Sequence, residues 1–381
     1  MRFLVLGAGL QGAACAFDLL QNPAVSAVHL ADQSFDRLPG FLTALADPRL
    51  HTVVLDLADR SAVLDRMRQV DSVLSAAPYY FNFPLAELAV EAGVHFADLG
   101  GNTDIVFQQK GLAAAAIAKG VTIIPDCGVA PGMVNILAAY GMSQLDTTER
   151  VKIYVGGLPQ HPEPPVNYQV VYSLEGALDY YTTPSWVLRE GKRTQVTPLT
   201  ELEALDFPAP IGTLEAFHTA GGLSTLPFRF EGRVPTMEYK TLRYQGHAKI
   251  FEGIRWLGLL GTEPVSVKGQ TVVPRQLFLE VAGARLRRPG SPDLVALRVV
   301  VEGTKGGQPA RRAWQLVDHY DAERGITAMM RCTAYSLSIT GQLQVERACG
   351  AAGVHTPDEC IPAERYIAEL ATRGVRIEPL V

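Results

Sequence analysis

The sequence predicts an α/β protein, in which an N-terminal doubly wound parallel sheet is followed by a second, α+β domain for substrate binding and dimerisation. Over residues 1–125, short apolar runs alternate with amphipathic stretches of helical length, which is typical of βαβ units. After Asp126 the chain changes to proline-rich turns and longer runs typical of strands with hairpin signals. We therefore predict three segments: residues 1–128, residues 129–335, and a helical segment at 336–381 that packs back on the first domain.

The predicted elements of the first domain follow one another as strand and helix in turn. Strands are predicted at residues 2–6, 27–31, 52–55, 72–75, 95–98 and 122–125. Helices are predicted at residues 11–20, 35–45, 60–68, 83–91 and 105–118, and two more around 341–349 and 362–372. Six strands joined by right-handed crossovers make a doubly wound sheet.

Composition bounds the class of protein. The 381 residues carry 34 Lys+Arg against 39 Asp+Glu, a net charge of −5, with 48% hydrophobic residues. This composition excludes a disordered chain and argues against nucleic-acid binding through a broad basic face. The sequence contains no uninterrupted apolar run long enough to span a membrane, and its five cysteines form no CxxC pair. We expect a cytoplasmic protein with reduced thiols, no membrane or nucleic-acid partner and no metal.

A glycine-rich turn directly after the first predicted strand indicates a Rossmann-type dinucleotide site. Three glycines with GxGxxG spacing permit a tight turn, close approach of the backbone to a pyrophosphate, and close packing of helix on strand. The start of the following helix presents free N–H groups to phosphate. A glycine turn in an α/β fold that binds no cofactor is the alternative. The proposed phosphate-binding residues are Gly7, Gly9, Leu10, Gln11 and Gly12.

Asp32 follows Gly12 by 20 residues, at the end of the second predicted strand, where a carboxylate accepts both ribose hydroxyls. A carboxylate there repels a 2′-phosphate, so NAD is favoured over NADP, although Arg37 keeps NADP open. Asp56 and Leu57 are placed to flank the adenine, with a solvated turn as the alternative. Three small residues after the fourth strand leave room for a cofactor or form an ordinary turn: Ala76, Ala77 and Pro78.

Several motifs together resemble the saccharopine dehydrogenase-like family, in particular its lysine 6-dehydrogenase branch. They are Asp126-Cys127-Gly128-Val129-Ala130-Pro131-Gly132-Met133-Val134-Asn135, Ala77-Pro78-Tyr79-Tyr80, residues 98–103, residues 221–227, residues 239–247, residues 327–331 and residues 373–375. Cys127 and Gln245 depart from the expected pattern, where we expect Thr and Pro. The resemblance implies NAD-dependent oxidative deamination of the ε-amine of L-lysine. The product is 2-aminoadipate 6-semialdehyde, which cyclises to Δ1-piperideine-6-carboxylate.

The chemistry implied by the resemblance needs a proton acceptor. Hydride leaves the amine-bearing carbon only when the amine is neutral, whereas a free lysine ε-ammonium titrates near about 10.4. Lys240, His247 and Asp98 are the candidate catalytic groups, and Tyr79 and Tyr80 are further polar candidates at the substrate.

The segment 240–247 contains a dense set of polar side chains. In an extended strand Lys240 and Arg243 face opposite sides, and a turn at Gln245-Gly246 brings His247 back towards the site. We assign Arg243 to bidentate capture of the substrate α-carboxylate, Lys240 to the base and His247 to a proton shuttle or substrate contact. Surface salt bridges to the nearby Glu238 or Glu231 are the alternative for Lys240 and Arg243.

The remaining candidates lie in neighbouring motifs. Residues 221–225 offer backbone N–H groups and hydroxyls to a carboxylate, or form a plain β-turn. Asp126 contacts the nicotinamide side or caps the next helix. Cys127 is interpreted as a small packing residue. The assigned substrate residues of these motifs are Gly222, Ser224, Thr225 and Thr241.

Two other functions stay open. One keeps the fold and runs a reductive condensation, as in saccharopine or carboxynorspermidine formation. The other is a non-catalytic NAD sensor, against which the polar segment 240–247 speaks. We expect a small amino acid as the substrate and a homodimer or higher homo-oligomer.

Overall fold

The computed structural model describes residues 1–171, 173–288 and 290–380, so Val381, the end of the predicted C-terminal segment, lies outside the described residues. Within these residues, the first sheet has seven strands, all parallel, in the order β17-β6-β5-β4-β1-β2-β3. Its strands are β1 (Arg2–Leu6), β2 (Ala27–Asp32), β3 (Leu50–Val54), β4 (Ser72–Ser75), β5 (His95–Asp98), β6 (Thr122–Ile124) and β17 (Gly353–Val354). The strand order reverses between β1 and β4, which is where ligands bind in open α/β sheets.

Helices cover both faces of this sheet. They are α1 (Leu10–Gln21), α2 (Gly40–Thr43), α3 (Arg60–Met67), α4 (Asn82–Ala92), α5 (Thr103–Lys110) and α6 (Ala113–Lys119), and a short 3₁₀ turn spans Tyr79–Phe81. Of the helix predicted over 35–45, only the short α2 forms. Pro39 immediately precedes it, and a proline disfavours helical backbone at the residue before it. The helix predicted over 105–118 is interrupted at Gly111 and Leu112.

The second sheet confirms the predicted α/β class with a mixed-sheet second domain. Within the described residues it has nine strands, in the order β10-β11-β12-β7-β15-β16-β18; in addition, β8 pairs with β12, and β9 pairs with β8. Its strands are β7 (Thr147–Pro159), β8 (Ser185–Arg189), β9 (Lys192–Val196), β10 (Glu203–Phe207), β11 (Gly212–His218), β12 (Thr236–Tyr244), β15 (Asp293–Lys305), β16 (Gln308–His319) and β18 (Glu378–Pro379); a separate hairpin has β13 (Val265–Val267) and β14 (Gln270–Val272). The helices here are α7 (Met133–Ser143), α8 (Leu174–Thr182), α9 (Leu226–Phe230), α10 (His247–Trp256), α11 (Pro274–Leu286), α12 (Ala328–Val345), α13 (Pro357–Cys360) and α14 (Ala363–Thr372).

The helix predicted around 341–349 begins much earlier, because Thr327 caps it: the Thr327 hydroxyl accepts a hydrogen bond from the Met330 N–H at 3.1 Å. Asp293 accepts from the Ala328 and Met329 N–H groups at 2.8 and 3.0 Å, and so satisfies two more donors of the first turn. The predicted boundary at 335 therefore falls inside α12, and the segment boundaries stay a prediction.

The C-terminal part of the chain contacts the first sheet directly. The Gln344 amide donates to the Phe96 and Thr122 carbonyls at 2.9 and 3.0 Å, and β17 adds a seventh parallel strand beside β6. Among the described residues, no helix is both long and apolar enough to cross a membrane.

Candidate functional site

The candidate site lies at the junction between the first sheet and the second domain, where the carboxyl ends of the parallel strands meet that domain. Asp126 follows β6, and its carboxylate accepts a short hydrogen bond from the Ser224 hydroxyl of the second domain. Asn135, in the first turn of α7, donates from its amide to the Leu223 carbonyl at 3.1 Å. These two contacts fix the 221–225 loop against the edge of the first sheet.

The glycine-rich turn has the shape that a dinucleotide requires. Gly7 adopts φ +93°, and a Cβ at Gly12 would lie 1.8 Å from the Gly7 carbonyl oxygen, so the chain passes too closely here for a side chain. A Cβ at Gly9, by contrast, would have no atom within 4 Å. This open space lies at the start of α1, where backbone N–H groups face outward, and these residues therefore fit a pyrophosphate.

Residues beside the glycine-rich turn also fit a bound dinucleotide. The Asp32 carboxylate accepts from the Ala8 N–H at 2.6 Å and from the Gln33 N–H at 2.7 Å, which fixes it beside the turn at the end of β2. Leu10 is half exposed, whereas the Oε1 atom of Gln11 is buried without a hydrogen-bond partner among the described residues. A polar atom left without a partner in this way is consistent with a bound group that supplies the missing donor.

The other residues predicted to contact the cofactor differ in exposure and in distance from the glycine-rich turn. Asp56 is exposed, and its carboxylate accepts from the Ala58 N–H at 2.9 Å, as in the solvated turn that was the alternative. Leu57 is half-buried and packs on the core. Ala76 lies against the glycine turn, because a Cβ at Gly7 would be 3.0 Å from the Ala76 carbonyl oxygen. Ala77 is half-buried and Pro78 exposed.

Asp126 is the most perturbed carboxylate at the junction. It is 2% exposed and adopts the left-handed φ of +65°, with Oδ2 on Ser224 and Oδ1 without a partner among the described residues. Burial, reinforced by the nearby Asp98 carboxylate, raises the pKa of Asp126 to about 7 against the hydrogen bond from Ser224. Asp126 can therefore exchange a proton near neutral pH.

Asp98 has a supporting position instead of an open one. Its carboxylate accepts from the Gly100 N–H and the Gln109 amide, both at 2.7 Å, and it is fully buried. Burial raises the pKa of Asp98 to about 6. Because both oxygens are taken by the protein, Asp98 holds the loop around Gly100 next to Asp126.

Glycines of the 221–225 loop make room for aromatic rings. A Cβ at Gly222 would lie 2.3 Å from the Tyr239 ring, and one at Gly221 would lie 2.7 Å from the Tyr180 ring. Gly222 thus packs against a tyrosine instead of standing open to substrate. Thr225 is buried at the start of α9.

A buried chain of hydrogen bonds surrounds Arg243. Its Nε donates to the Tyr181 hydroxyl at 3.1 Å, and that hydroxyl lies 2.9 Å from Nε2 of His247. The second ring nitrogen of His247 lies 3.1 Å from the Val166 carbonyl, which must accept, so the tautomer with the proton on Nδ1 satisfies the chain. Burial and the Arg243 charge lower the pKa of His247 to about 3, so this histidine stays neutral. It positions Arg243 through Tyr181.

Lys240 lies on the opposite face of β12, as the strand alternation predicts. Its Nζ donates to Glu203 Oε1 at 2.8 Å and to the Glu201 carbonyl at 2.7 Å. The structure therefore does not bring Lys240 together with Asp126 and Arg243, and its contacts are those of the ion-pair alternative, with Glu203 as the partner.

The same far face brings Glu201, His218 and Glu238 within 4.8 Å of one another, a spacing that suits a metal. Arg189, however, already pairs with both carboxylates, at 2.8 and 2.7 Å. The cluster is neutralised by protein cations, so we assign it no metal.

Aromatic and hydroxyl groups complete the junction. Tyr79 is 38% exposed and Tyr80 60% exposed, so both stand at its mouth, and Tyr79 packs on Gly101. Thr241 shares a 2.7 Å hydrogen bond with Thr219 on the face that carries Arg243. Cys127 is buried and its thiol pKa is raised well above the usual range by burial, as expected for a packing residue.

The sequence analysis missed the tyrosines of α8, Tyr180 and Tyr181. Their signal was an adjacent tyrosine pair near the C-terminal end of a capped amphipathic helix. Nothing local to that helix shows that β12 and the 221–225 loop lie beside it.

Comparisons with known proteins agree with this fold. The model of the saccharopine dehydrogenase NADP binding domain matches residues 3–124, and that of the saccharopine dehydrogenase C-terminal domain matches residues 128–375. Saccharopine dehydrogenase (NADP(+), L-glutamate-forming) of Schizosaccharomyces pombe is 20% identical over 450 residues, covering 98% of both chains. Apo saccharopine dehydrogenase (L-Glu forming) from Saccharomyces cerevisiae has the same fold, with a TM-score of 0.81 at 18% identity over 100% of this chain and 99% of that one.

Mitochondrial alpha-aminoadipic semialdehyde synthase of Mus musculus is 25% identical over 257 residues, which is 63% of this chain and 27% of that protein. The alignment thus spans about a quarter of the mouse relative. Carboxynorspermidine synthase of Vibrio cholerae is 23% identical over 359 residues, covering 85% of this chain and 82% of that protein.

Gly9→Ala should weaken dinucleotide binding without destabilising the fold. The added Cβ meets no protein atom within 4 Å but enters the space that a pyrophosphate needs, so we expect affinity to fall about tenfold or more at an unchanged melting temperature. Gly12→Ala is the matched comparison, since its Cβ must displace the Gly7 carbonyl and should lower the melting temperature as well. Titration with NAD and thermal unfolding check both; a Gly9→Ala protein that binds NAD like the wild type contradicts the assignment.

Asp126→Asn should change how stability depends on pH. The folded pKa of about 7 exceeds the usual value of 3.8, so the folded state holds the extra proton between these values, and stability falls as pH rises through this window. An amide at this position cannot ionise, so the variant does not lose this stability. Between about pH 5 and about pH 8, the free energy of unfolding of the variant should therefore rise relative to that of the wild type by on the order of 2 kcal/mol. Urea unfolding at both pH values measures the difference, and parallel curves would show that the carboxyl does not titrate in this range.

Proposed function

The chain belongs to the saccharopine dehydrogenase family, and on that premise we propose that it is an oxidoreductase that acts on an amino acid. The specific reaction that we propose is NAD-dependent oxidative deamination of the ε-amine of L-lysine, with 2-aminoadipate 6-semialdehyde as product. The motifs around Asp126 and Arg243 support this reaction, and we assign those two residues separate roles in it.

The observation that carries the proposal is the Asp126 carboxylate. It is buried at the carboxyl edge of the first sheet, with one oxygen on Ser224 and the other without a partner among the described residues. A substrate ammonium is the kind of donor that this oxygen lacks. With a pKa of about 7, Asp126 can accept a proton from that ammonium and release it again at neutral pH.

Arg243 supplies the second contact. Arg243 is 3% exposed; its Nε donates to the Tyr181 hydroxyl and its Nη1 to the Leu242 carbonyl at 2.9 Å, and its planar guanidinium is of the kind that suits a carboxylate. An amino acid that carries an ammonium at one end and a carboxylate at the other, such as L-lysine, offers a partner to each of these two residues.

The proposed steps balance as follows. Asp126 takes a proton from the ε-ammonium, which leaves a lone pair on nitrogen. A bound nicotinamide dinucleotide supplies the acceptor for the hydride from the amine-bearing carbon. Water then adds to the resulting iminium carbon, and Asp126, after losing its first proton to solvent, takes the water proton and passes it to the nitrogen. The carbon–nitrogen bond breaks as the new hydroxyl loses its proton to Asp126, which releases ammonia and the aldehyde.

The Asp32 carboxylate beside the glycine turn supports NAD, because it would repel a 2′-phosphate. The description of the matching N-terminal family model names NADP, so both dinucleotides belong in the assay. Reductive condensation is the second candidate function, and it is favoured by the likeness to carboxynorspermidine synthase and saccharopine dehydrogenase.

The activity assay follows reduced nicotinamide absorbance with L-lysine as the sole amine. We expect turnover with NAD and release of ammonia without any second organic substrate. A protein that oxidises saccharopine but not lysine belongs to the condensation class, and one that binds NAD without any turnover is a sensor.

Arg243→Lys should raise the KM for L-lysine about tenfold or more while leaving the KM for NAD within about twofold, because a point charge cannot reproduce a bidentate fork. Cadaverine lacks the carboxylate, so the variant and the wild type should oxidise it at similar rates. Equal losses on lysine and cadaverine would assign Arg243 a purely structural role.

The pH profile of kcat should report Asp126. We expect kcat for lysine oxidation to rise with pH through an inflection near 7, the pKa of this carboxyl, because the base must be ionised to accept a proton. Asp126→Asn should remove that limb and lower kcat by about 10² to 10⁴-fold. If kcat of Asp126→Asn still rises with pH as in the wild type, the base lies elsewhere. Lys240→Met is the comparison variant, and its kcat should rise with pH as in the wild type.

A further inference from the structure

A cavity lies away from the junction that holds Asp126. It has a volume of about 600 Å³ and is formed by the C-terminal half of α1, the loop after β16, the first turns of α12 and the end of α14. Ligand pockets typically fall in the range of about 300–1,000 Å³. Its charged lining residues are Asp18, Asp321, Arg324, Arg331, Glu369 and Arg373.

Two of the three acidic residues that line the cavity, Asp18 and Asp321, already accept hydrogen bonds from the protein. Both oxygens of Asp18 accept from Nε of Arg373, at 2.8 and 2.9 Å, and one of them also accepts from the Ser338 hydroxyl at 2.7 Å. Asp321 accepts from the Arg324 guanidinium and backbone N–H at 3.0 and 3.1 Å. These carboxylates have little capacity left for a cationic ligand.

The arginines keep unused donors. Arg373 uses Nε and Nη1 on Asp18 and Glu369, and its Nη2 has no hydrogen-bond partner among the described residues. Arg331 donates from Nε and Nη2 to Asp318, while its Nη1 has only a long contact of 3.5 Å to Asp321. The remaining hydrogen-bonding capacity of these charged groups is mainly that of donors.

A tyrosine hydroxyl adds an independent observation. Tyr335 lines the cavity, and its hydroxyl makes no hydrogen bond to any part of the chain that the structure describes. A tyrosine hydroxyl that faces a cavity without a protein partner can donate a hydrogen bond to a bound acceptor.

We propose that this cavity is a binding site for a small organic molecule or ion with an oxyanion group, carboxylate or phosphate, held by Tyr335 and by the unused N–H groups of Arg331 and Arg373. Planar guanidinium groups suit both carboxylate and phosphate. The proposal is independent of the reaction assigned to the junction.

The cavity is distinct from the cofactor turn. α1 begins beside Gly9 and contributes Phe17, Asp18 and Gln21 to the cavity, so at 1.5 Å per residue the two sites lie on the order of 12–18 Å apart along one helix. The occupant would also contact the second domain through Asp321 and Arg324. It would therefore bridge the same two parts of the chain that enclose the junction.

Thermal unfolding with defined probes tests the site. We expect succinate or inorganic phosphate to raise the melting temperature in a saturable manner beyond sodium chloride at equal ionic strength. Tyr335→Phe removes only a hydroxyl without a partner, so the free variant should melt like the wild type, but its apparent Kd for the stabilising anion should be about tenfold or more weaker.

Tyr154→Phe is the matched control, because its hydroxyl bonds Glu203 on the far face of the second sheet. This variant should keep the wild-type response to the anion. A response to succinate alone identifies a carboxylate site, and one to phosphate alone a phosphate site. A shift no larger than that of chloride, or one that Tyr335→Phe leaves intact, overturns the proposal.

Discussion

The hydrogen bond between Ser224 and Asp126 is the interaction on which the site depends. It joins the carboxyl edge of the first sheet to a loop of the second domain, and it removes the Asp126 carboxyl from water. Burial alone would favour the protonated acid, whereas the Ser224 hydroxyl favours the anion. The balance of these two effects keeps the pKa near 7, where a proton acceptor is useful at neutral pH.

This balance needs precise backbone placement. Asp126 adopts a left-handed conformation, and a Cβ at Gly100 would lie 2.0 Å from its Oδ1 atom, so the neighbouring loop must carry glycine there. Asp98 fixes that loop through the Gly100 N–H, and it raises the pKa of Asp126 by its proximity. Asp98 therefore contributes both to the position of Asp126 and, after burial, to its raised pKa.

The sequence predicted what is local and missed what is distant. The glycine turn, the first six strands and the opposite faces of Lys240 and Arg243 follow from spacing and alternation, and the structure has them. Which face of β12 meets the junction does not follow, because it depends on Glu203, which pairs with Lys240, and on Tyr181, which fixes Arg243. Those partners come from other elements 37 and 62 residues away, beyond any local pattern. The seventh strand, β17, is only two residues long and had no detectable signal.

A single helix, α12, sets the spacing between the two sheets at this junction. A Cβ at Gly341 of α12 would lie 2.6 Å from the Leu74 side chain of β4, and one at Gly157 of β7 would lie 2.5 Å from Met329 of the same helix. α12 is thus in close contact with the first sheet near its C-terminal end and with the second sheet at its N-terminal end. Since packed interiors deform little, a movement of one sheet relative to the other must disturb one of these contacts. Tyr335 lies between them on α12, so a ligand at its hydroxyl would act on the same helix that packs against both sheets.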